Sequence, residues 1–275
     1  METTTGDAPF SVDLSALESA VYCPNGIRKA AGGVVLLVHG TGSTGYESWA
    51  NGPYGVYLPW AAPGFDVCWV DLPRNSLIDA QVSAEYIAYN IPLLAAKSST
   101  GKVSIIGHSQ GAGLNPQWAL DFWPSIRQYV SDYIALAGDF HGTLEGPVSC
   151  LSQDLLHSGC YPSVAQQTAG SKYLEAQNER GGSALVTTTS IYTRYDDVIQ
   201  PEVVNPTSVL PGAANLALQD PAYTQTLTCV VLCTKLITLL FSSTLQPMLS
   251  HMTLSLMTDR LQPLVLTRSN IAVLL

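Results

Sequence analysis

Residues 102–113 read KVSIIGHSQGAG, an apolar run of strand character that leads into a serine boxed by glycines and then into a helical pattern. A serine at such a junction sits on a sharp turn in a strained backbone conformation, and a side chain at either flanking glycine would clash. The local architecture is therefore strand, turn, helix. The motif also poses a question: which histidine would serve Ser109?

Two further segments repeat the strand pattern, GGVVLLVHG at 32–40 and FDVCWVDLP at 65–73. Short continuous apolar runs of this kind read as strands buried on both faces. Between the second run and the serine motif lies DAQVSAEYIAYNIPLLAAK at 79–97, whose apolar residues stand three and four apart and predict a helix. YVSDYIALAGDFHG at 129–142 and SALVTTTSIYTRYDD at 183–197 are β-rich runs that end in acidic residues. Strands alternating with helices predict a single α/β domain, a mostly parallel central sheet flanked by helices. The Gly/Ser/Cys-rich segment 142–182 supplies loops and short helices above it, the material of a small cap or lid region.

An apolar share of 47% over 275 residues is ample for such a core. A net charge of −9 with only 12 Lys and Arg argues against a nucleic-acid partner. The longest apolar stretch, LTCVVLCTKLITLLF, is shorter than a bilayer span and carries Lys235, so no membrane helix is expected. The N-terminus METTTGDAPF has neither a basic n-region nor an apolar h-region, so this chain shows no signal peptide. Six cysteines, at 23, 68, 150, 160, 229 and 233, lack the paired spacing of a zinc site and read as disulfide material, Cys150 and Cys160 by local arithmetic.

Ligands of open parallel sheets collect at the carboxyl ends of the strands, which is where the chemistry-bearing residues fall. Ser109 is the candidate nucleophile. His108 reads as an exposed neighbour, too close in sequence to swing onto Ser109 Oγ. An acyl-transfer site also needs donors aimed at a developing oxyanion. Gln110 supplies a backbone N–H just after the nucleophile, and HGTGSTG at 39–45 supplies another, with the Thr41 hydroxyl beside it. No Gly-Lys-Ser/Thr follows, so this is not a phosphate loop. The acid of such a triad follows a late strand, where Asp196 and Asp197 stand side by side.

Seven blocks in order, from LLVHGTGSTGYESW through GFDVCWVDLP, QVSAEYIAYNI, GHSQGAGLNPQWALDFWPSIR, ALAGDFHGT and AQQTAGS to SIYTRYDDVIQPEV, resemble the lipase B type of fungal α/β-hydrolases. The resemblance runs from about Pro9 to about Gln219. It implies an α/β-hydrolase fold and a serine esterase, lipase or carboxylesterase, acting on acylglycerol-type esters through an acyl-enzyme on Ser109. It further implies Asp196 as the acid, Thr41 with Gln110 as the oxyanion hole, and Asp139, Gln167, Val198 and Ile199 as the substrate pocket. A Cys23–Cys68 disulfide, a secreted monomer with transient contact to a lipid interface, and no metal or organic cofactor complete what it implies. An acyltransferase or lactonising enzyme is the nearest alternative, because an alcohol can resolve an acyl-enzyme as water does.

The likeness divides the chain into a hydrolase domain at 1–222 and an atypical tail at 223–275. The tail has no glycine and one acidic residue, Asp259, whereas all 22 glycines precede it. After Asp196 the only histidine is His251, the candidate base, whose Leu/Met surroundings are those of a core residue. The family's Asp-His pair is not in its place. Regrouping the codons by one base turns both Met-Thr pairs, 252–253 and 257–258, into aspartate, and with suitable codons converts Leu236–Leu239 into Asp-His-Ala. The tail therefore reads as out of frame. In the printed frame, three readings compete: a recruited His251, an inactive product, or a lipid-binding homologue without turnover.

Overall fold

A computed structural model describes residues 6–51, 64–157 and 159–220. Among the described residues, seven strands form one sheet: β1 (Val21–Tyr22), β2 (Val34–Val38), β3 (Asp66–Val70), β4 (Val103–His108), β5 (Val130–Leu136), β6 (Thr188–Tyr192) and β7 (Ala214–Ala217). Their spatial order is β1-β3-β2-β4-β5-β6-β7. All neighbours run parallel except β1, which pairs antiparallel with β3 at the edge.

Among the described residues, and besides an irregular turn at Pro73–Ser76, the sheet is accompanied by α1 (Leu14–Ser19), α2 (Ala80–Lys97), α3 (Gln110–Gly113), α4 (Asn115–Phe122), α5 (Gly146–His157), α6 (Pro162–Gln167) and α7 (Lys172–Gly181). The longest, α2, starts where the Asp79 side chain accepts from Gln81 N–H, satisfying one of the donors that a helix start leaves free. It buries Ala84, Ile87, Ala88, Ile91, Leu94 and Ala95 on one face.

The core follows from the pleat. Every residue of β2 is buried, and alternate side chains leave a strand on opposite faces. Val34, Leu36 and Val38 join the larger cluster beneath α2 and α4. Val35 and Leu37 pack on the other face with Trp49 and Trp69. A Cys23–Cys68 disulfide ties the chain after β1 to β3, and a Cys150–Cys160 disulfide joins α5 to the chain before α6. Closing a loop of 45 residues, the first stabilises by about 4 kcal/mol on chain-entropy grounds. The expected strands and the 79–97 helix are present; β1 and β7 are additions. The apolar stretch around Lys235, Cys229, Cys233 and the tail boundary at 223 lie outside the described residues.

Candidate active site

β2, β4, β5 and β6 are parallel, so the loops leaving them open on one edge of the sheet. Ser109 follows β4 with φ 55° and ψ −128°, a region that side chains other than glycine rarely enter. The surrounding backbone holds it there: its N–H donates to Leu136 O, and its carbonyl accepts from Ala112 and Gly113 N–H. A Cβ on Gly107 would land on the Gly111 carbonyl, and one on Gly111 on the His39 carbonyl. The glycines of the motif are therefore required by strand β4 meeting α3 and by α3 meeting the end of β2. Gly40, just after β2, faces Ser109 so closely that an added Cβ would stand 3.1 Å from Ser109 Cβ.

Three polar side chains meet beside that junction. The Thr41 hydroxyl donates to Gln110 Oε1 at 2.6 Å and accepts from Gln167 Nε2 at 2.9 Å. Gln110 also donates to Asn115 Oδ1 at 3.3 Å, while Gln167 donates to Ser163 O at 3.1 Å. The hydroxyl oxygen is thus held from two sides.

Asp139 follows β5 and is wholly buried, with neither carboxylate oxygen hydrogen-bonded among the described residues. Gly113 makes room for it, because a Cβ there would strike the Asp139 carboxylate and backbone. Burial pushes its carboxyl up to about 7, and the nearby charge of Asp196 adds to the shift. Asp196 itself, in the loop after β6, is half-buried and raised by burial. Its Oδ1 accepts from Val198 and Ile199 N–H at 2.9 Å each. Asp197 is exposed. Of the two adjacent carboxylates, only Asp196 is fixed by its own loop. Val198 is half exposed and Ile199 is buried. His251 lies outside the described residues, as does the out-of-frame reading of the tail.

His108 departs from the sequence expectation. It is half-buried rather than exposed, and burial lowers its imidazole to about 4, so it is neutral at pH 7. Two residues gave no signal in the sequence. His39 is fully buried at the end of β2. Glu202, also fully buried, accepts at Oε1 from Ser208 N–H (3.1 Å) and Ser208 Oγ–H (2.6 Å), while its Oε2 has no partner among the described residues.

Burial raises the Glu202 carboxyl from 4.5 to about 7, the Ser208 hydroxyl opposes this, and Asp196 adds to it. A raised acid keeps its proton in the fold after the unfolded chain has lost it, so stability falls as pH rises from about 4.5 to 7. The full shift is worth about 3 kcal/mol, and relaxation of a surface loop leaves roughly 2. Replacing Glu202 with Gln removes the titration. Urea unfolding at pH 5 and pH 8 should show the variant gaining on the wild type by that amount between the two; equal pH slopes would count against a buried, protonated Glu202.

No family model matches the chain. Lipase B of Pseudozyma antarctica is 37% identical over 202 residues, 72% of this chain and 56% of that protein. The chain is a relative of fungal lipase B. The crystal structure of Aspergillus fumigatus lipase B superposes with a TM-score of 0.68 at 34% identity, covering 78% of this chain and 52% of that one. A Bacillus licheniformis lipase in its mature form shares the fold at 16% identity, with a TM-score of 0.53 over 78% of this chain and 97% of its own. This lipase B relative thus has the α/β-hydrolase architecture, and it spans about half the length of the lipase B proteins it matches.

Proposed function

We propose that this chain is a serine ester hydrolase of the lipase or carboxylesterase type, with Ser109 as nucleophile. One observation carries the reading: a serine at φ 55° on a strand-to-helix turn, facing a glycine loop whose Thr41 is tied to the residue after the nucleophile. In this reading Ser109 Oγ attacks the ester carbonyl carbon while a histidine takes its proton, and the carbonyl electrons move onto oxygen. Thr41 and Gln110 donate to that oxyanion. The carbonyl re-forms, the alcohol leaves with the proton from the histidine, and water resolves the acyl-enzyme by the same steps. Asp196 accepts from the histidine and holds its tautomer. Asp139, Gln167, Val198 and Ile199 line the pocket for the ester. His251 is the base within this chain, or the in-frame Asp-His of the parent sequence fills that role; transcript sequencing after Gln219 distinguishes them. The two disulfides fit an oxidising, extracellular setting.

The test is intact-mass analysis after exposure to a fluorophosphonate. The wild type should gain one adduct, mapped to Ser109, and Ser109→Ala should gain none. A folded wild type that stays unlabelled would overturn the reading of this chain as a working hydrolase. Adding an alcohol during ester turnover then tells hydrolysis from acyl transfer by the product.

A further inference from the structure

The imidazole of His39 is hydrogen-bonded on both sides. Its Nε2 lies 2.9 Å from Leu72 N, and since a backbone N–H can only donate, Nε2 is the acceptor. The ring proton therefore sits on Nδ1, which lies 2.9 Å from the carbonyl oxygen of Gly40 and donates to it. Burial lowers its affinity for a second proton, against the opposing effects of the Gly40 carbonyl, Asp71 and Glu47.

The acceptor of that bond belongs to the peptide between Gly40 and Thr41. In a planar trans peptide, the C=O and the following N–H point in opposite directions. Holding Gly40 O toward the imidazole therefore turns Thr41 N–H away from it. Gly40 lies against Ser109, and the Thr41 hydroxyl lies against Gln110. The same loop is pinned to the chain after β3 at two more points, Gly42 N–H to Asn75 O at 2.8 Å and Gly45 N–H to Asp71 Oδ1 at 2.7 Å. Those bonds fix where the loop lies. Among the described residues, the hydrogen bond that reaches the Gly40–Thr41 peptide itself comes from His39.

We propose that His39 is a positioning residue, which through its Nδ1–H tautomer orients the Gly40–Thr41 peptide so that Thr41 N–H serves as an oxyanion donor. It touches neither substrate nor nucleophile. Its contribution is pre-organisation, since a donor already aimed at the developing charge needs no rearrangement when the charge appears. A polarised carbonyl also makes the N–H of the same peptide a better donor. The inference rests on the hydrolase reading of Ser109.

Two substitutions separate the two hydrogen bonds. In His39→Asn the side-chain amide NH2 reaches the Nδ1 position, keeping the donor to Gly40 O and losing the acceptor for Leu72 N–H. In His39→Gln the amide oxygen reaches the Nε2 position, keeping that acceptor and losing the donor. Loss of an aimed oxyanion donor costs roughly 100-fold in kcat. His39→Gln should lose about that much kcat with KM within about twofold, while His39→Asn retains most of its rate, measured on a chromogenic short-chain ester. Equal kcat for the two variants, or a loss expressed in KM, would overturn the positioning role. If His39→Gln does not fold, nitrogen-15 NMR of the wild-type ring decides: a proton on Nδ1 between pH 6 and 8 supports the assignment, and one on Nε2 overturns it. A wild type that neither labels nor turns over fails the hydrolase reading itself; an active wild type with matched variants fails this inference alone.

Discussion

Replacing Asp196 with Asn should lower kcat/KM for ester hydrolysis by about 10,000-fold while leaving the fold intact. The size follows from what an acid of this kind does: it holds the histidine in the tautomer that can accept the serine proton and stabilises the imidazolium that results. An amide of the same shape can present its NH2 to the ring, which stabilises the wrong tautomer. The local structure tolerates the change, because the oxygen that accepts from Val198 and Ile199 N–H has a counterpart in asparagine. Gln200 Nε2, which donates to the Asp196 backbone carbonyl, is also unaffected. The neighbouring exposed carboxylate is the control, and Asp197→Asn should remain within about twofold of the wild type. Measured by ester turnover and by the rate of fluorophosphonate labelling, a loss of less than tenfold in Asp196→Asn would remove Asp196 from the proposed triad.

The difference between those two aspartates shows where reading the sequence stops. Adjacent carboxylates after a β-rich run are indistinguishable by pattern, and the resemblance to lipase B singles out the first. The structure distinguishes them by a turn in which Asp196 caps Val198 and Ile199 while Asp197 points to solvent. Ser109 needed no such help, since its glycines encode a local steric demand that is visible at a distance of two residues. His39 and Glu202 were illegible for the opposite reason. His39 gains its meaning from Leu72, 33 residues away, and Glu202 from Ser208 in an irregular loop whose burial no periodic pattern announces. His108 was expected at the surface because histidine next to a nucleophile usually stands exposed, and packing around the β2 and β4 ends encloses it instead.

The strands divide in the same way. β2, β3 and β4 announce themselves as apolar runs because both faces are covered. β7 reads ANLA, with an exposed first residue and no β-branched side chain, and its place in the sheet comes from pairing with β6. β1 has only two residues, too few for any period. Segment 142–182, expected as loops and short helices, contains α5, α6 and α7. The Cys150–Cys160 disulfide and the bond from Tyr161 N–H to Gln153 Oε1 hold the first of these to the chain that enters the second.

Replacing Gly107 or Gly111 with Ala should each destabilise the protein by about 3 kcal/mol or more, the upper part of the range for overpacking. At both positions the added methyl meets backbone, the Gly111 carbonyl in one case and the His39 carbonyl in the other. Backbone atoms cannot rotate aside as a side-chain tip can. Relief therefore requires β4, α3 and the end of β2 to move apart, which opens the sheet at its most buried strand. Gly6→Ala is the matched control, because nothing among the described residues lies within 4 Å of its added carbon, and it should stay within about 0.5 kcal/mol of the wild type. Urea midpoints at pH 7 with unchanged slopes would measure all three. If Gly107→Ala unfolds at the wild-type midpoint, the close approach of β4 and α3 is not a constraint on this fold, and the motif glycines need another explanation. If it is destabilised as expected, the contact that limits stability is also the one that brings the Ser109 turn against Gly40. A substitution that relieved the strain by moving these segments apart would then draw Ser109 away from Gly40 and from the loop proposed to hold the oxyanion.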